Sequence, residues 1–274
     1  MKLIEQFRIS KTGKLNDCED MIFFNDHFAA VIDGATSRDN RRFNGQASGY
    51  VAAMLVLKAF DHLSKDSTTI QFIESVNREF DWFYKKHQIN PQANEQILTA
   101  SAVIYSPFFR QIWMIGDCQC LIDQNIHRNP NGIDEHIAAI RSLINQSEMI
   151  SGRTMDWIME NDPGSLAIQD LLVRQFTFQN RPPMHEGSFH YTAFDGRPID
   201  MSAVKIIDVL PDVHEIVLAS DGYPLLKHSL RECEDELQNL LLKDPLCIYE
   251  NKGVKGLKKG LVSFDDRSYL RFLP

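Results

Sequence analysis

Carboxylates at the ends of apolar runs are the residues of this sequence that could do chemistry together. Four apolar runs stop at an acidic residue and a fifth run is preceded by an acidic pair; the segments are Asp33-Gly34, Asp117, Asp221-Gly222, Asp265-Asp266 and Glu19-Asp20. One Asp-Gly after a strand is typical of a turn, but five such segments in one chain favour a shared site. If the strand ends converge, the carboxylates repel one another unless cations neutralise them.

The ligand type indicates which cations these would be. Clustered carboxylate oxygens suit hard divalent ions such as Mg²⁺ or Mn²⁺, and a glycine directly after an Asp leaves room for its backbone carbonyl to approach an ion. Two such ions about 3.5–4 Å apart are a known arrangement for hydrolysing phosphate esters, with a bridging water as the nucleophile. The residues therefore indicate metal-assisted phosphoester hydrolysis, provided that the strand ends meet.

The elements that must position these carboxylates follow from hydrophobic periodicity. Strands are predicted at residues 21–24, 28–32, 99–105, 110–115 with a continuation to 122, 204–209, 215–219, 260–264 and 269–273. Helices are predicted at residues 45–63, 68–88 and 225–242, and at 133–144 and 165–176 within a helical elaboration of about residues 128–183. Because no repeat or linker divides the chain, we expect a single α+β domain over residues 1–274.

Composition limits the class of protein. The chain has 274 residues, of which 43% are hydrophobic and 24% charged, as in a globular protein with a sizeable core. Its net charge of −8 argues against nucleic acid as a partner, and no apolar stretch reaches the length of a membrane span. The five cysteines include no CxxC pair, so we expect free thiols in a cytoplasmic protein, with Cys118 and Cys120 in the core.

Six segments, taken in order, resemble motifs of the PP2C-like family of metal-dependent protein phosphatases. They are Cys-Glu-Asp-Met at 18–21, Phe-Ala-Ala-Val-Ile-Asp-Gly-Ala at 28–35, Thr-Ala-Ser-Ala-Val at 99–103, Trp-Met-Ile-Gly-Asp-Cys-Gln at 113–119, Ile-Val-Leu-Ala-Ser-Asp-Gly at 216–222 and Asp-Asp-Arg-Ser at 265–268. The resemblance spans nearly the whole chain. It implies a four-layer αββα sandwich, in which two antiparallel sheets pack face to face between helices and the metals lie at one edge.

The resemblance also implies a set of metal ligands, namely Asp33, Gly34, Asp221, Asp265, Glu19, Asp20 and Asp117. In the family pattern Asp33 would bridge two Mg²⁺ or Mn²⁺ ions, and Asp33, Asp221 and Asp265 would be the catalytic carboxylates. The Gly34 carbonyl and Glu19 would bind one ion, with Asp20 close by. The resemblance assigns Asp117 to a looser third ion.

The sequence departs from the family pattern at several positions. Ala35 stands where many members have a His that has been proposed as a general acid, a substitution often found in bacterial members. Leu15 stands in the place of a common Arg, with Lys14 beside it. Pro224-Leu225-Leu226 stands where the family pattern has a further Asp of the third metal site, so that site lacks one of its ligands. The final Asn of the pattern is Asp266.

A phosphate group among so many carboxylates also needs positive charge from the protein. The candidates for contacting substrate phosphate are Lys14, Arg38, Arg41 and Arg42. The four lysines between 252 and 259 are interpreted as a solvated loop in preference to a binding patch for an acidic partner.

The resemblance implies a phosphatase that removes phosphate from Ser or Thr of proteins. Two alternatives stay open. One is a PP2C-like regulatory or binding module with impaired catalysis, and the other is a phosphatase for a small phosphoester.

Overall fold

Two antiparallel β-sheets form the centre of the molecule. The computed structural model describes residues 1–37 and 41–274. One sheet has the order β1-β12-β11-β8-β9 and the other the order β10-β7-β6-β3-β2, while β4 and β5 form a separate small ribbon. The strands are β1 (Lys2–Ile9), β2 (Met21–Phe24), β3 (Ala29–Ala35), β4 (Arg42–Phe43), β5 (Gln46–Ala47), β6 (Thr99–Ser106), β7 (Gln111–Ile115), β8 (Gln119–Ile122), β9 (Asn125–His127), β10 (Lys205–Asp208), β11 (Ile216–Ala219) and β12 (Arg267–Leu273).

Helices make up most of the remaining regular structure of the described residues. They are α1 (Ser48–Ala59), α2 (Thr69–His87), α3 (Gly132–Ile150), α4 (Met155–Asn161), α5 (Pro163–Ala167), α6 (Gln169–Arg174) and α7 (Leu230–Lys243). Within residues 1–37 and 41–274, none of these helices is both long enough and apolar enough to cross a membrane.

Three apolar layers hold this sandwich together. The helices α1 and α2 pack on β3, β6 and β7 through a cluster that includes Phe72 and Trp113. Between the sheets lies a second cluster, in which Val31 of one sheet and Leu218 of the other are both buried. A third cluster, around Tyr269, joins the opposite face of the second sheet to α7. The four-layer αββα architecture and the α+β class implied by the sequence are therefore confirmed.

Most predicted elements are present with shifted ends. The hairpin of β2 and β3 and the hairpin of β6 and β7 are confirmed. The chain continues after Gly116 as predicted, but β8 pairs with β11 in the other sheet, because Gly116 has a φ of +86° and redirects the backbone. The helix predicted at 225–242 begins only at Leu230, because a reciprocal cap between Ser229 and Glu232 fixes its start.

Two sequence interpretations were wrong. Residues 260–264 form turns instead of a strand, since Gly260 has a φ of +84° and Leu261 bonds back to Lys258. The strand β1 was not predicted, because it lies at a sheet edge and none of its residues is fully buried. An edge strand that faces solvent lacks the apolar run that reveals a buried one.

The helical elaboration consists of α3 to α6 and packs around its own apolar clusters. The buried guanidinium of Arg141 in α3 forms an ion pair with Asp162, with Nη2 and Oδ2 2.9 Å apart. Arg141 also donates hydrogen bonds to the backbone carbonyls of Leu246 and Gly253, at 2.9 and 3.1 Å. These bonds attach the loop between α7 and β12 to the elaboration.

Candidate metal centre

The carboxylates that follow or precede strands come together at one edge of the sandwich. Asp33 lies near the end of β3, Asp117 follows β7, Asp221 follows β11, and Asp265 precedes β12. β3 and β7 both pair antiparallel with β6 and so end at the same edge of their sheet, and in the other sheet the end of β11 lies beside the start of the antiparallel β12. The negative charges of Asp117 and Asp265 act on both Asp33 and Asp221, so the strand ends converge as the chemistry requires.

Asp33 and Asp221 form the centre of this cluster. They lie close enough that the charge of Asp33 acts on Asp221. Burial, followed by the charges of neighbouring carboxylates, raises the pKa of both groups well above their usual range. In the absence of a cation the pair therefore favours holding protons, and a divalent ion that replaced these protons would relieve the repulsion.

Glu19 and the Gly34 carbonyl face a common point beside helix α1. A Cβ atom on Gly49, near the start of α1, would lie 2.0 Å from Glu19 Oε2 and 2.5 Å from the Gly34 carbonyl oxygen. Thr36 Oγ1 lies 2.7 and 2.6 Å from the two carboxylate oxygens of Glu19 and holds this side chain in place. Burial raises the pKa of Glu19, against the effect of the bond from Thr36. A carboxylate oxygen of Glu19 and the carbonyl oxygen of Gly34, both able to bind a metal ion, are thus brought together where only glycine leaves room for them.

Asp20 and Asp266 lie behind the cleft, next to Cys18. Asp266 accepts hydrogen bonds from the backbone N–H groups of Glu19 and Lys11, at 2.7 and 2.9 Å, and so fixes the segment that carries Glu19. Asp20 Oδ2 accepts a bond of 2.8 Å from a serine of β12, whereas Oδ1 has no hydrogen-bond partner among the described residues. Burial raises the pKa of Asp20 to about 8. The Cys18 thiol stays protonated, because burial raises its pKa.

Asp117 is positioned from the neighbouring strand β6. Ser101 Oγ donates a hydrogen bond of 2.7 Å to Asp117 Oδ1. A Cβ on Gly116 would lie 2.0 Å from this same Oγ, so residue 116 has to be glycine for Ser101 to reach Asp117. Ser101 is opposite Asp33 in the register of β3 and β6. The sequence did not indicate this serine as a part of the site.

Two lysines that the sequence analysis did not assign to the site lie beside Asp265. The ammonium of Lys255 forms a salt bridge with Asp265 Oδ2. Lys11 Nζ is 3.7 Å from Asp265 Oδ1 and 3.7 Å from Asp266 Oδ1. Burial alone would raise the pKa of Asp265, but the charge of Lys255, followed by that of Lys11, outweighs it and leaves the pKa lowered. Residues 252–259, which were predicted to form a solvated loop, therefore contact the carboxylates through Lys255.

Among the four candidates for contacting substrate phosphate, Arg38 lies outside the described residues. Lys14 is exposed at the start of a short 3₁₀ turn, and Nη1 of the exposed Arg42 donates to the Gly45 carbonyl at 2.9 Å. Arg41 is half-buried. The cavities beside Asp33 are lined by Lys11 and Lys255, and the assignment of phosphate contacts to the four candidates stays a prediction.

The helical elaboration closes one side of the cleft. A cavity of about 350 Å³ is lined by Asp33 and Asp117 and by apolar side chains, among them Leu172, Phe176 and Tyr191. Leu172 belongs to α6, and the other two lie in the segment that follows it. A second cavity of about 620 Å³ extends past Glu19. A ligand at Asp33 would therefore have an apolar wall on one side.

The donor set fits hard divalent ions. Every side chain that converges on Asp33 from the strand ends offers carboxylate oxygens, and the Gly34 carbonyl adds a further oxygen. Mg²⁺ and Mn²⁺ prefer such oxygen ligands. Burial, followed by the negative charge of neighbouring carboxylates, raises the pKa of Asp33 and Asp221, and a divalent ion would neutralise part of this charge. The residues present are therefore suited to the metals that the sequence implies.

Among known proteins, similarity to this chain was found for solved structures only. No family model matches the chain, and no curated protein is similar to it in sequence. The serine/threonine phosphatase PstP/Ppp of Mycobacterium tuberculosis is 14% identical, with a TM-score of 0.45 over 99% of this chain and 94% of that one. A structure of the PstP catalytic domain in complex with two manganese ions is 15% identical, with a TM-score of 0.46 over 100% and 99%. The phosphatase Stp1 from Staphylococcus aureus is 14% identical, with a TM-score of 0.48 over 100% and 95%.

At this level of identity the likeness concerns the arrangement of the elements alone. The function proposed below is supported by the carboxylate cluster of this chain.

Proposed function

We propose that this chain is a metal-dependent phosphatase that hydrolyses phosphoserine and phosphothreonine esters of proteins. The observation that supports it most strongly is the convergence of Asp33, Asp221 and Asp265 from three different strands, next to the paired oxygens of Glu19 and Gly34. The free, buried cysteines fit a protein of the reducing cytoplasm.

In this proposal Asp33, Asp221 and Asp265 would hold one divalent ion, and Asp33, Glu19 and the Gly34 carbonyl would hold the second. When bound, the two ions supply Lewis acidity and lower the pKa of a coordinated water, which makes it a nucleophile near neutral pH. Asp33, as the shared ligand, would give up its proton when an ion binds, because burial and the neighbouring carboxylates raise its pKa in the metal-free chain.

The remaining residues orient this set and balance its charge. Ser101 directs Asp117 through a bond of 2.7 Å, and Asp266 fixes the backbone of Glu19. Lys11 and Lys255 supply positive charge in the cleft, which a phosphate dianion beside carboxylates needs. Ala35 offers no proton, so this position cannot act as a general acid.

The test is hydrolysis of an aryl phosphate and of a phosphothreonine peptide in the presence of Mn²⁺. We expect activity that is lost with excess EDTA and reduced by more than about 100-fold in Asp33→Asn, because even the partners of a metal ligand typically contribute 10- to 100-fold. The control is Asp235→Asn, which removes one charge from an exposed position on α7. Turnover that survives thorough chelation, or equal activity of both variants, would exclude a metal-dependent phosphatase.

A small phosphoester is the second candidate substrate, and the cavity beside Asp33 favours it. The apolar wall of Leu172, Phe176 and Tyr191 could enclose a compact leaving group, whereas an extended peptide has to lie outside it. A kcat/KM for small phosphate esters well above that for phosphopeptides would support this candidate over a protein substrate. Absence of turnover on both, with retained folding, would favour a regulatory or binding module.

A further inference from the structure

The ammonium group of Lys255 is a cation that lies among the carboxylates of the site. Its ammonium pairs with Asp265 Oδ2, and the negative charges of Asp221 and Asp33 act on it as well. Lys255 lines each of three neighbouring cavities at this edge of the sandwich. The structure thus contains a protein cation beside the three carboxylates that the proposed function assigns to one divalent ion.

The helical elaboration determines where this lysine lies. Arg141 holds the loop that precedes Lys255 through the Leu246 and Gly253 carbonyls. A Cβ on Gly256, the residue after Lys255, would lie 2.4 Å from the Leu246 carbonyl oxygen and 2.6 Å from Arg141 Nη2. Because the backbone on both sides of Lys255 packs this closely, the loop holds the ammonium at the carboxylates.

An ammonium group and a divalent ion cannot use the same carboxylate oxygens in the same way. Each gains its binding energy from the negative charge of Asp265, and the two cations repel each other at close range. The Lys255 side chain is 48% exposed, so it has solvent on one side into which it can move. Release of the ammonium is therefore sterically possible without unfolding the loop.

We propose that Lys255 competes with a divalent ion for Asp265 and its neighbours, so that metal loading is an exchange in which the ammonium leaves the carboxylates. This inference rests on the proposed function for the identity of the ion. In the metal-free chain Lys255 neutralises part of the cluster. The helical elaboration, which fixes the loop, thereby sets how tightly the site binds metal.

The experiment compares Mn²⁺ binding by isothermal titration calorimetry in the wild type and in Lys255→Met. Removing a charged hydrogen-bonding competitor should tighten binding at one site by about tenfold. The matched control is Lys259→Met, which removes the same charge from the same loop but disrupts a pair with Glu160, at 3.7 Å, outside the cleft. Its Mn²⁺ affinity should stay within about twofold of the wild type.

A second variant and a second measurement cover the case in which Lys255→Met is poorly folded. Lys255→Gln removes the charge but keeps a polar end, and the rise in melting temperature on adding Mn²⁺ should be larger for it than for the wild type. Unchanged or weaker Mn²⁺ binding in the Lys255 variants, measured by either method, would overturn the exchange.

The outcomes separate this inference from the proposed function. If the wild type binds Mn²⁺ and hydrolyses phosphoesters while the Lys255 variants show no gain in affinity, the exchange alone is wrong. If only the Lys255 variants bind Mn²⁺, the exchange holds and the wild type is not a metal-dependent enzyme. If none of these proteins binds Mn²⁺, both statements fail.

Discussion

Replacing Gly49 by alanine should weaken metal binding without touching any carboxylate. The added methyl group would lie 2.0 Å from Glu19 Oε2 and 2.5 Å from the Gly34 carbonyl oxygen, both far inside van der Waals contact. The Glu19 side chain can rotate away, but it then loses its bond with Thr36. The Gly34 carbonyl belongs to β3, where Gly34 lies opposite Ala100 of β6, so it has little freedom to move.

The expected size follows from two opposing contributions to the free energy of unfolding. Alanine in a helix is favoured over glycine by about 1 kcal/mol, whereas overpacking a rigid site costs about 1–3 kcal/mol. The net loss of stability of Gly49→Ala should therefore be about 0–2 kcal/mol. The loss in Mn²⁺ affinity should be at least about tenfold, because two of the proposed ligands are displaced together.

The assay combines urea denaturation in EDTA with calorimetric titration of Mn²⁺. Gly132→Ala is the matched control, since Gly132 also lies in the first turn of a helix and a Cβ there meets no atom within 4 Å. It should leave Mn²⁺ affinity unchanged and stability equal or slightly higher. If Gly49→Ala binds Mn²⁺ as tightly as Gly132→Ala does, Glu19 and Gly34 do not act together on an ion.

Three further predictions concern the fold around the site. Because Asp20, Asp33 and Asp221 have raised pKa values, the folded metal-free chain binds more protons than the unfolded chain, and its stability in EDTA should fall as the pH rises from about 4 to about 8. Thermal melts across this range check it, and a constant or rising melting temperature would contradict it. Cys118→Ala and Cys120→Ala should each lower the free energy of unfolding in urea by roughly 1 kcal/mol or more, because both thiols are fully buried between the sheets. The Mn²⁺ affinity of both variants should be nearly unchanged, and a folded double variant that binds no Mn²⁺ would refute a purely structural role. Arg141→Met should lower the urea-derived free energy of unfolding by about 3–5 kcal/mol, since it leaves the buried carboxylate of Asp162 without its ion pair. A loss below about 1 kcal/mol would show that the pair of Arg141 and Asp162 does not stabilise the helical elaboration.

The carboxylates at strand ends could be predicted because each is marked locally. Asp33 directly follows an apolar run, and Asp117 and Asp221 each follow one after a single residue. The ends of alternate strands, such as β3 and β7 around β6, lie at one edge of a sheet. The sequence also places Cys118 and Cys120 in the core, as the structure confirms, since alternation along a strand assigns their side chains to one face.

Lys255 could not be found in this way. It lies in an irregular loop, and its place beside Asp265 depends on bonds to Arg141, which is 114 residues earlier in the chain. Contacts of this kind leave no periodic pattern in the local sequence. Ser101 is similar, because its role depends on the register of β3 and β6 and on the missing side chain at Gly116.

Anomalous X-ray diffraction from crystals grown with Mn²⁺ tests the central claim most directly. We predict two manganese peaks that share Asp33, one of them also bound by Asp221 and Asp265 and the other by Glu19 and the Gly34 carbonyl. We also predict that Lys255 has left Asp265 in these crystals. Absence of manganese beside Asp33, with Lys255 still paired to Asp265, would contradict a metal-dependent site at this edge of the sandwich.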